Sequence, residues 1–258
     1  MLSVIVPAYR AAATISDTLQ VVAASLDRLD IPYEIVLVPD GALDDTAARV
    51  AAGAFDGVRT VEYEEHRGKG YAIRQGMAAC CGDYIAYIDA DLELHPDGLG
   101  PLLCLVQGDA DVALGSKRHP ESLVHYPLFR RIQSELYQWL VRLLFGLRVT
   151  DTQTGVKVFR GDFVRAVLPS LTNDGFAIDL ELLIALRDRG ARFAEGPVQL
   201  EYRFASTISA GDVVTVLLDT MRLYVQRRRH TNTARRATDQ ASAMITSNRV
   251  GDVRRLRQ

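Results

Sequence analysis

The chain has 258 residues, 48% of them hydrophobic and 24% charged, with a formal net charge of -2. That length can bury a full core as one large or two small domains, and the composition is that of an ordinary globular protein. Three cysteines, Cys80, Cys81 and Cys104, lack framework spacing, which excludes a disulfide scaffold and points to a reducing compartment.

The charge is unevenly placed. From Gln226 onward there are nine arginines and two aspartates, so the first 225 residues carry about -9. A basic tail on an acidic body suggests a polyanionic surface as partner, membrane or nucleic acid. The chain opens directly on an apolar strand, without a basic region followed by a long apolar one, so no secretory signal is expected. The most apolar late stretches, Leu136 to Val149 and Val213 to Val225, are interrupted by Gln138, Arg142, Arg148, Asp219 and Arg222. Neither reaches the roughly 18 uninterrupted apolar residues of a membrane span, and both read as amphipathic helices.

In chain order, Ser3 to Pro7 is a short buried strand. Ile15, Leu19, Val22, Ala23, Leu26 and Leu29 give a helix over 13–29, broken by Pro32. Tyr33 to Val38 is a second strand, and Asp44-Asp45-Thr46 caps an alanine-rich helix. Val58 to Tyr63 is a third strand, and Gly68-Lys69-Gly70 opens a helix running through Met77. Tyr84 to Ile88 is a fourth strand, ending in Asp89-Ala90-Asp91. Strands alternating with helices at this pace mean an α/β fold with a mostly parallel sheet and helices on both faces. No Gly-x-Gly-x-x-Gly and no Walker-type loop occurs, so neither a dinucleotide fingerprint nor a P-loop is supported.

The strand ends carry the chemistry. Side chains two apart on an extended segment point the same way, so Asp89 and Asp91 face one volume outside the carboxyl end of a strand, where open α/β sheets bind ligands. Two close carboxylates call for a divalent cation such as Mg²⁺ or Mn²⁺, which keeps substrate phosphates in its shell. Pro7-Ala8-Tyr9, Asp40 and Lys69 stand at the neighbouring strand ends. Tyr9 suits a ribose or base, Asp40 can accept hydrogen bonds from either, and the glycines beside Lys69 admit backbone to a ligand near a helix N-terminus. Singly each has a bland reading: surface aromatic, turn, connector, or two solvated acids.

Ser3-Val4-Ile5-Val6-Pro7-Ala8-Tyr9, Asp40-Gly41-x-x-Asp44-Asp45-Thr46, Gly68-Lys69-Gly70 and Asp89-Ala90-Asp91 together resemble family 2 glycosyltransferases of the GT-A fold. Gly115-Ser116-Lys117-Arg118, Asp151 to Phe159 and Phe176 to Leu183 extend the likeness to the branch that makes dolichyl- or polyprenyl-phosphate hexoses, over about residues 2–210. The resemblance implies an inverting, Mg²⁺- or Mn²⁺-assisted transfer of a hexose from a nucleotide sugar, GDP-mannose or UDP-glucose, to a polyprenyl phosphate. It implies Asp89 and Asp91 as metal ligands, with Pro7, Tyr9, Asp40, Lys69 and Gln153 on the donor side. Asp91, Lys117, Arg130 and Arg203 become catalytic, and Arg130, Ser134, Arg203, Asp179 and Glu181 line the acceptor side.

Three positions depart from the family pattern: Arg10-Ala11 after the first strand, Pro39-Asp40 after the second, and Lys117 where arginine is common. Asp179 and Glu181 admit two readings, a general base for a hydroxyl acceptor or a pair orienting Lys117 or Arg203. The expected organisation is a glycosyltransferase domain over 1–210, divided at 115 into nucleotide-sugar and acceptor halves. An amphipathic helix over 211–230 and a basic, disordered tail over 231–258 follow. Expected partners are the nucleotide sugar, the lipid phosphate and, peripherally, the cytoplasmic face of a membrane, with no nucleic acid. A soluble family 2 enzyme acting on a sugar or small-molecule hydroxyl, and a non-catalytic nucleotide-sugar binder, are the competing readings.

Overall fold

A computed structural model describes residues 1–124, 128–200 and 214–228, with the side chains of 128–131 not described. Strands β1 (Leu2–Ala8), β2 (Tyr33–Pro39), β3 (Val58–Thr60), β4 (Tyr84–Ile88), β5 (Val112–Ser116), β6 (Val156–Arg160) and β7 (Phe193–Pro197) form one sheet, in the order β3-β2-β1-β4-β6-β5-β7. All neighbours are parallel except β6, which runs against both β4 and β5. The single sheet therefore spans the expected halves on either side of residue 115.

The strands read as continuous apolar runs because they are covered on both faces. Alternate residues go to opposite layers. Val4, Val6, Ile35, Leu37, Ala86, Ile88, Val156 and Val158 pack toward α1 (Ile15–Leu26), α2 (Thr46–Gly53) and α4 (Leu99–Gln107). Ile5, Val36, Val38, Ile85, Tyr87, Val112, Leu114 and Phe159 pack toward α3 (Lys69–Ala79), α5 (Leu128–Phe145), α6 (Gly161–Val167) and α7 (Ile178–Asp188).

The boundaries shift at three places. The first helix ends at Leu26 and tightens into a 3-10 turn, Asp27–Leu29, before Pro32. The third strand stops at Thr60, three residues short of Tyr63, because the chain then turns to deliver Tyr63, His66 and Arg67 to Asp40. The helix expected from Leu136 begins at Leu128 and so includes Arg130 and Ser134.

A last helix, α8, covers 214–228. It lies against α5 and α7, where the Tyr137 and Thr220 hydroxyls meet (3.0 Å), Phe145 and Tyr224 pack edge to face, Leu223 joins the core and Arg227 pairs with Asp188. Among the described residues, no helix is long and apolar enough to cross a membrane. The expected tail, 231–258, and the segment carrying Arg203 lie outside the described residues.

Candidate active site

The carboxyl ends of β1, β2, β4 and β5 open on one edge of the sheet, and the loop entering the reversed strand β6 returns to the same edge. This reversal carries Asp151, Gln153, Thr154 and Gly155 to the end of β4. Asp89 follows β4 directly. Its N–H donates to Gly155 O (3.1 Å), and its carboxylate pairs with Lys69 Nζ at 2.7 Å. A Cβ on Gly155 would stand 2.4 Å from Asp89 Oδ2, so only glycine lets the loop lie this close.

Asp91, two residues on, accepts the N–H of Glu93 (3.0 Å). Burial pushes its carboxyl above the ordinary carboxylate range, and the neighbouring charges of Asp89 and Glu93 push it further. Lys117, just past β5, reaches Glu93 at 3.8 Å and acts on Asp151. Burial raises the Asp151 carboxyl, while Lys117 and Lys157 draw it back. Burial lowers the Lys69 ammonium, but Asp89, Asp179 and Asp91 more than offset this and hold it above its ordinary range. Carboxylates and lysines thus alternate around the Asp-x-Asp turn: Glu93, Lys117, Asp151, Lys157, Asp179, Lys69, Asp89. With Asp91, five carboxylates meet three lysines, and the exposed Arg118 adds one cation at the rim beside Asp151. Among the described residues, carboxylates outnumber cations around the turn by one.

Other expected site residues fall differently. Pro7 lies past the last β1–β4 pairing, Ile5 with Tyr87, where its missing N–H breaks no bond to β4. Tyr9 is exposed at the mouth, 4.9 Å from the His66 ring, with the Arg10 guanidinium over it. Asp40 is buried and occupied. It accepts the N–H groups of Arg67 and Gly68 and the Tyr63 hydroxyl, and it faces His66 Nδ1 at 3.0 Å. It holds the loop that leads to Lys69.

The close approach allowed by Gly68 and Gly70 goes to the chain's own loop, not to a ligand. A Cβ on Gly68 would stand 2.4 Å from Asp174 O, and one on Gly70 would stand 2.5 Å from Asn173 O. Asp174 O also takes the N–H groups of Gly70 and Tyr71, so two of the free amides of the α3 N-terminus are already satisfied.

On the expected acceptor side the residues separate. Asp179 is 3% exposed; among the described residues its partners are Lys157 Nζ (2.7 Å) and the Tyr87 hydroxyl, while Arg203, one of the two residues it was expected to orient, lies outside the described residues. Glu181, two residues on along the helix, faces elsewhere and caps 172–173, accepting from the N–H groups of Thr172 and Asn173 and the Thr172 hydroxyl. Gln153 Nε2 donates to the Tyr137 hydroxyl (3.4 Å), and Gln138 Nε2 to Thr152 Oγ1 (3.0 Å), so consecutive residues of α5 hold consecutive residues of the loop. Ser134 is half-buried on the same helix, and Arg130 lies one turn before it. Sequence reasoning missed Lys157, Tyr87, Asp151 and Glu93. A signal existed for Lys157: a lone lysine inside Val156-Val158-Phe159, a run otherwise suited to burial on both faces.

The family model for Glycosyl transferase family 2 matches residues 3–165, and the chain belongs to that family; it is a glycosyltransferase of the GT-A fold. Glycosyltransferase AglD of Haloferax volcanii is 29% identical over 252 residues, covering 95% of this chain and 40% of the relative. A dolichyl-phosphate beta-glucosyltransferase of Drosophila melanogaster is 34% identical over 200 residues, covering 70% of this chain and 61% of the relative. The chain thus spans about half the length of these relatives. These likenesses support the polyprenyl-phosphate hexose synthase branch. Among solved structures, glucosyl-3-phosphoglycerate synthase from Mycobacterium tuberculosis, in complex with Mn²⁺, UDP and phosphoglyceric acid, shares the fold with TM-score 0.62 and 22% identity, covering 84% of this chain and 76% of that one.

Proposed function

We propose that the chain transfers a hexose, with inversion, from a nucleotide sugar to a polyprenyl or dolichyl phosphate at a membrane surface. One observation carries the reading: α5 joins the site loop to an exposed apolar face. Tyr137 and Gln138 hold Gln153 and Thr152, while Ile132, Leu136, Trp139 and Leu143, spaced along one side of the same helix, are exposed. Beside it, α8 exposes Val214, Leu217, Leu218, Met221 and Val225. Nine of the fourteen exposed large hydrophobics among the described residues lie on these two helices, a concentration a soluble surface seldom carries. The exposed arginines Arg142, Arg222 and Arg228 suit anionic lipid headgroups on the cytoplasmic face.

Asp89 and Asp91 would hold a divalent cation: they are two hard-oxygen donors at a turn where, among the described residues, carboxylates outnumber cations. Bound there, the cation would neutralise charge developing on the departing diphosphate. Asp89 keeps Lys69 at the same end, and Lys117 adds a point charge from β5. A lipid phosphate has a second pKa of about 6 and is mostly ionised at neutral pH, so it attacks without a general base. The disposition of Asp179 and Glu181 supports this. Each is engaged by the chain's own donors, which speaks against the hydroxyl-acceptor reading. Arg130 and Ser134, one turn apart at the start of α5, and Arg203 are proposed to hold that phosphate.

The chain is incubated with Mn²⁺ or Mg²⁺, radiolabelled UDP-glucose or GDP-mannose, and polyprenyl phosphate. An organic-extractable sugar product is expected, lost on Arg130→Ala by about 10²-fold in kcat/KM for the lipid. No such product with either donor overturns the lipid reading. Trp139→Glu is expected to cut binding to anionic vesicles by about tenfold or more without altering the fold.

A further inference from the structure

Lys157 is the one fully buried cation among the described residues. It stands on β6 opposite Tyr87 of β4, and both side chains leave the sheet toward α7. Nζ lies 2.7 Å from Asp179 Oδ1 and 4.9 Å from the centre of the Tyr87 ring, whose hydroxyl donates to the same carboxylate oxygen. Stability alone does not account for such a pair. Burying two charges costs about as much as their attraction returns, and apolar residues of similar volume do as well or better.

What the lysine reaches does account for it. Its second hydrogen bond goes to Thr154 O, one residue before Gly155, whose own carbonyl accepts the Asp89 N–H. Its partner Asp179 acts on Lys69, and Lys69 Nζ is the ion-pair partner of Asp89. One buried ammonium thus reaches the Asp89 backbone through hydrogen bonds of the 154–155 loop, and its ion-pair partner Asp179 acts through space on the lysine that pairs with the Asp89 carboxylate.

We infer that Lys157 is a positioning residue for Asp89, fixing the carboxylate that faces the donor diphosphate. The inference rests on the assignment of Asp89 and Asp91 to the donor end. Lys157 is fully buried and acts through its neighbours. It holds two neighbours of Asp89, the relation by which supporting residues around a catalytic ligand change activity by about 10–100-fold.

The test uses the full chain and separates positioning from packing. In the triple variant Lys157→Met, Asp179→Leu, Tyr87→Phe, the buried polar cluster becomes apolar together. The expected result is a Tm within a few degrees of wild type, a Kd for UDP or GDP in the presence of Mn²⁺ weakened about tenfold or more, and kcat for nucleotide-sugar turnover, to water or lipid, lowered about 10–100-fold. Lys157→Arg, which keeps the charge, is expected to retain more of both than Lys157→Met. A folded triple variant with wild-type nucleotide affinity and kcat overturns the inference. Should the triple variant fail to fold, Tyr87→Phe decides: a loss of nucleotide affinity of about threefold at unchanged Tm supports it, and unchanged affinity overturns it. Asp91→Ala run alongside checks the donor-end assignment separately. If that variant binds Mn²⁺ and nucleotide normally, the assignment fails on its own account.

Discussion

At the amino end of the sheet, Glu34 accepts the Ser3 hydroxyl and the Cys81 N–H and pairs with Arg59, while at the carboxyl end Asp91 faces Asp89 and Glu93. Burial pushes both carboxyls up. For Glu34 the Cys81 N–H, Ser3 and Arg59 more than offset it and hold the group below its ordinary range; for Asp91 the neighbouring acids add to it. The pattern extends along each edge. Asp111, beside Arg192 and Arg160, is held low despite its burial, whereas burial raises Asp151 at the other end in spite of Lys117 and Lys157. Donors and cations thus hold Glu34 and Asp111 low at one end, whereas burial raises Asp91 and Asp151 at the other, beside an Asp40 that the chain's own donors satisfy. Perturbed carboxyls gather at functional sites, where a ligand can complete them.

The largest expected effect comes from removing one of the raised carboxyls. Asp91→Asn is expected to lower turnover on the order of 10³-fold while leaving Tm unchanged or slightly higher, because a like charge is relieved. Mn²⁺ is expected to raise the Tm of the wild type, by about 2.7 kcal/mol of stability at a hundred times its Kd, and to do so much less for the variant. Thermal unfolding with and without the metal, beside initial rates, measures both. A variant that turns over normally, or that unfolds readily, would erase the contrast between the two ends.

Two glycines sharpen it next. A Cβ on Gly155 would meet Asp89 Oδ2 at 2.4 Å; one on Gly82 would meet Ser3 Oγ at 2.7 Å and Met1 O at 2.8 Å. Gly155→Ala displaces a functional carboxylate, so turnover falls about 10²-fold. Gly82→Ala crowds a satisfied edge, so stability falls by about 1–3 kcal/mol and the folded fraction turns over normally. Specific activity per folded molecule, with the folded fraction taken from denaturation curves, separates the two. Equal effects on activity would mean that the ends are not functionally distinct.

Much of the fold is legible in the sequence. Val36, Val38, Ile85 and Ile88 sit in strands covered on both faces, so they read as apolar runs, and short connections fix their order. Asp89 and Asp91 were placed past the end of a strand from the sequence, and they do follow β4, whereas Lys117 was reached only through the family resemblance. What β6 does was not legible. Val156 to Arg160 looks like any buried strand, and its reversal between β4 and β5 depends on contacts far apart in sequence. Lys157 and Tyr87 meet only through that reversed pairing, and Asp179 comes to them from α7. Asp40 was read as open to a ligand because its partners Tyr63, His66 and Arg67 lie some 23–27 residues away in a loop whose path carries no periodic signal.

The smallest expected effect tests the amino end through pH. Glu34 has a folded pKa below its ordinary 4.5, so the folded state binds fewer protons than the unfolded one around and below that value. Its contribution is therefore fully present above about pH 4.5 and is lost as pH falls through the folded pKa. Glu34→Gln is expected to cost on the order of 1 kcal/mol at neutral pH, about 2–4 °C in Tm for a domain of this size. The difference from wild type should shrink as the pH drops below 4.5, because the wild type then loses what the variant never had. A Tm difference that stays constant from pH 7 to pH 3 would mean that Glu34 acts through shape and neutral hydrogen bonds alone. The amino end would then owe its stability to packing and not to satisfied charge.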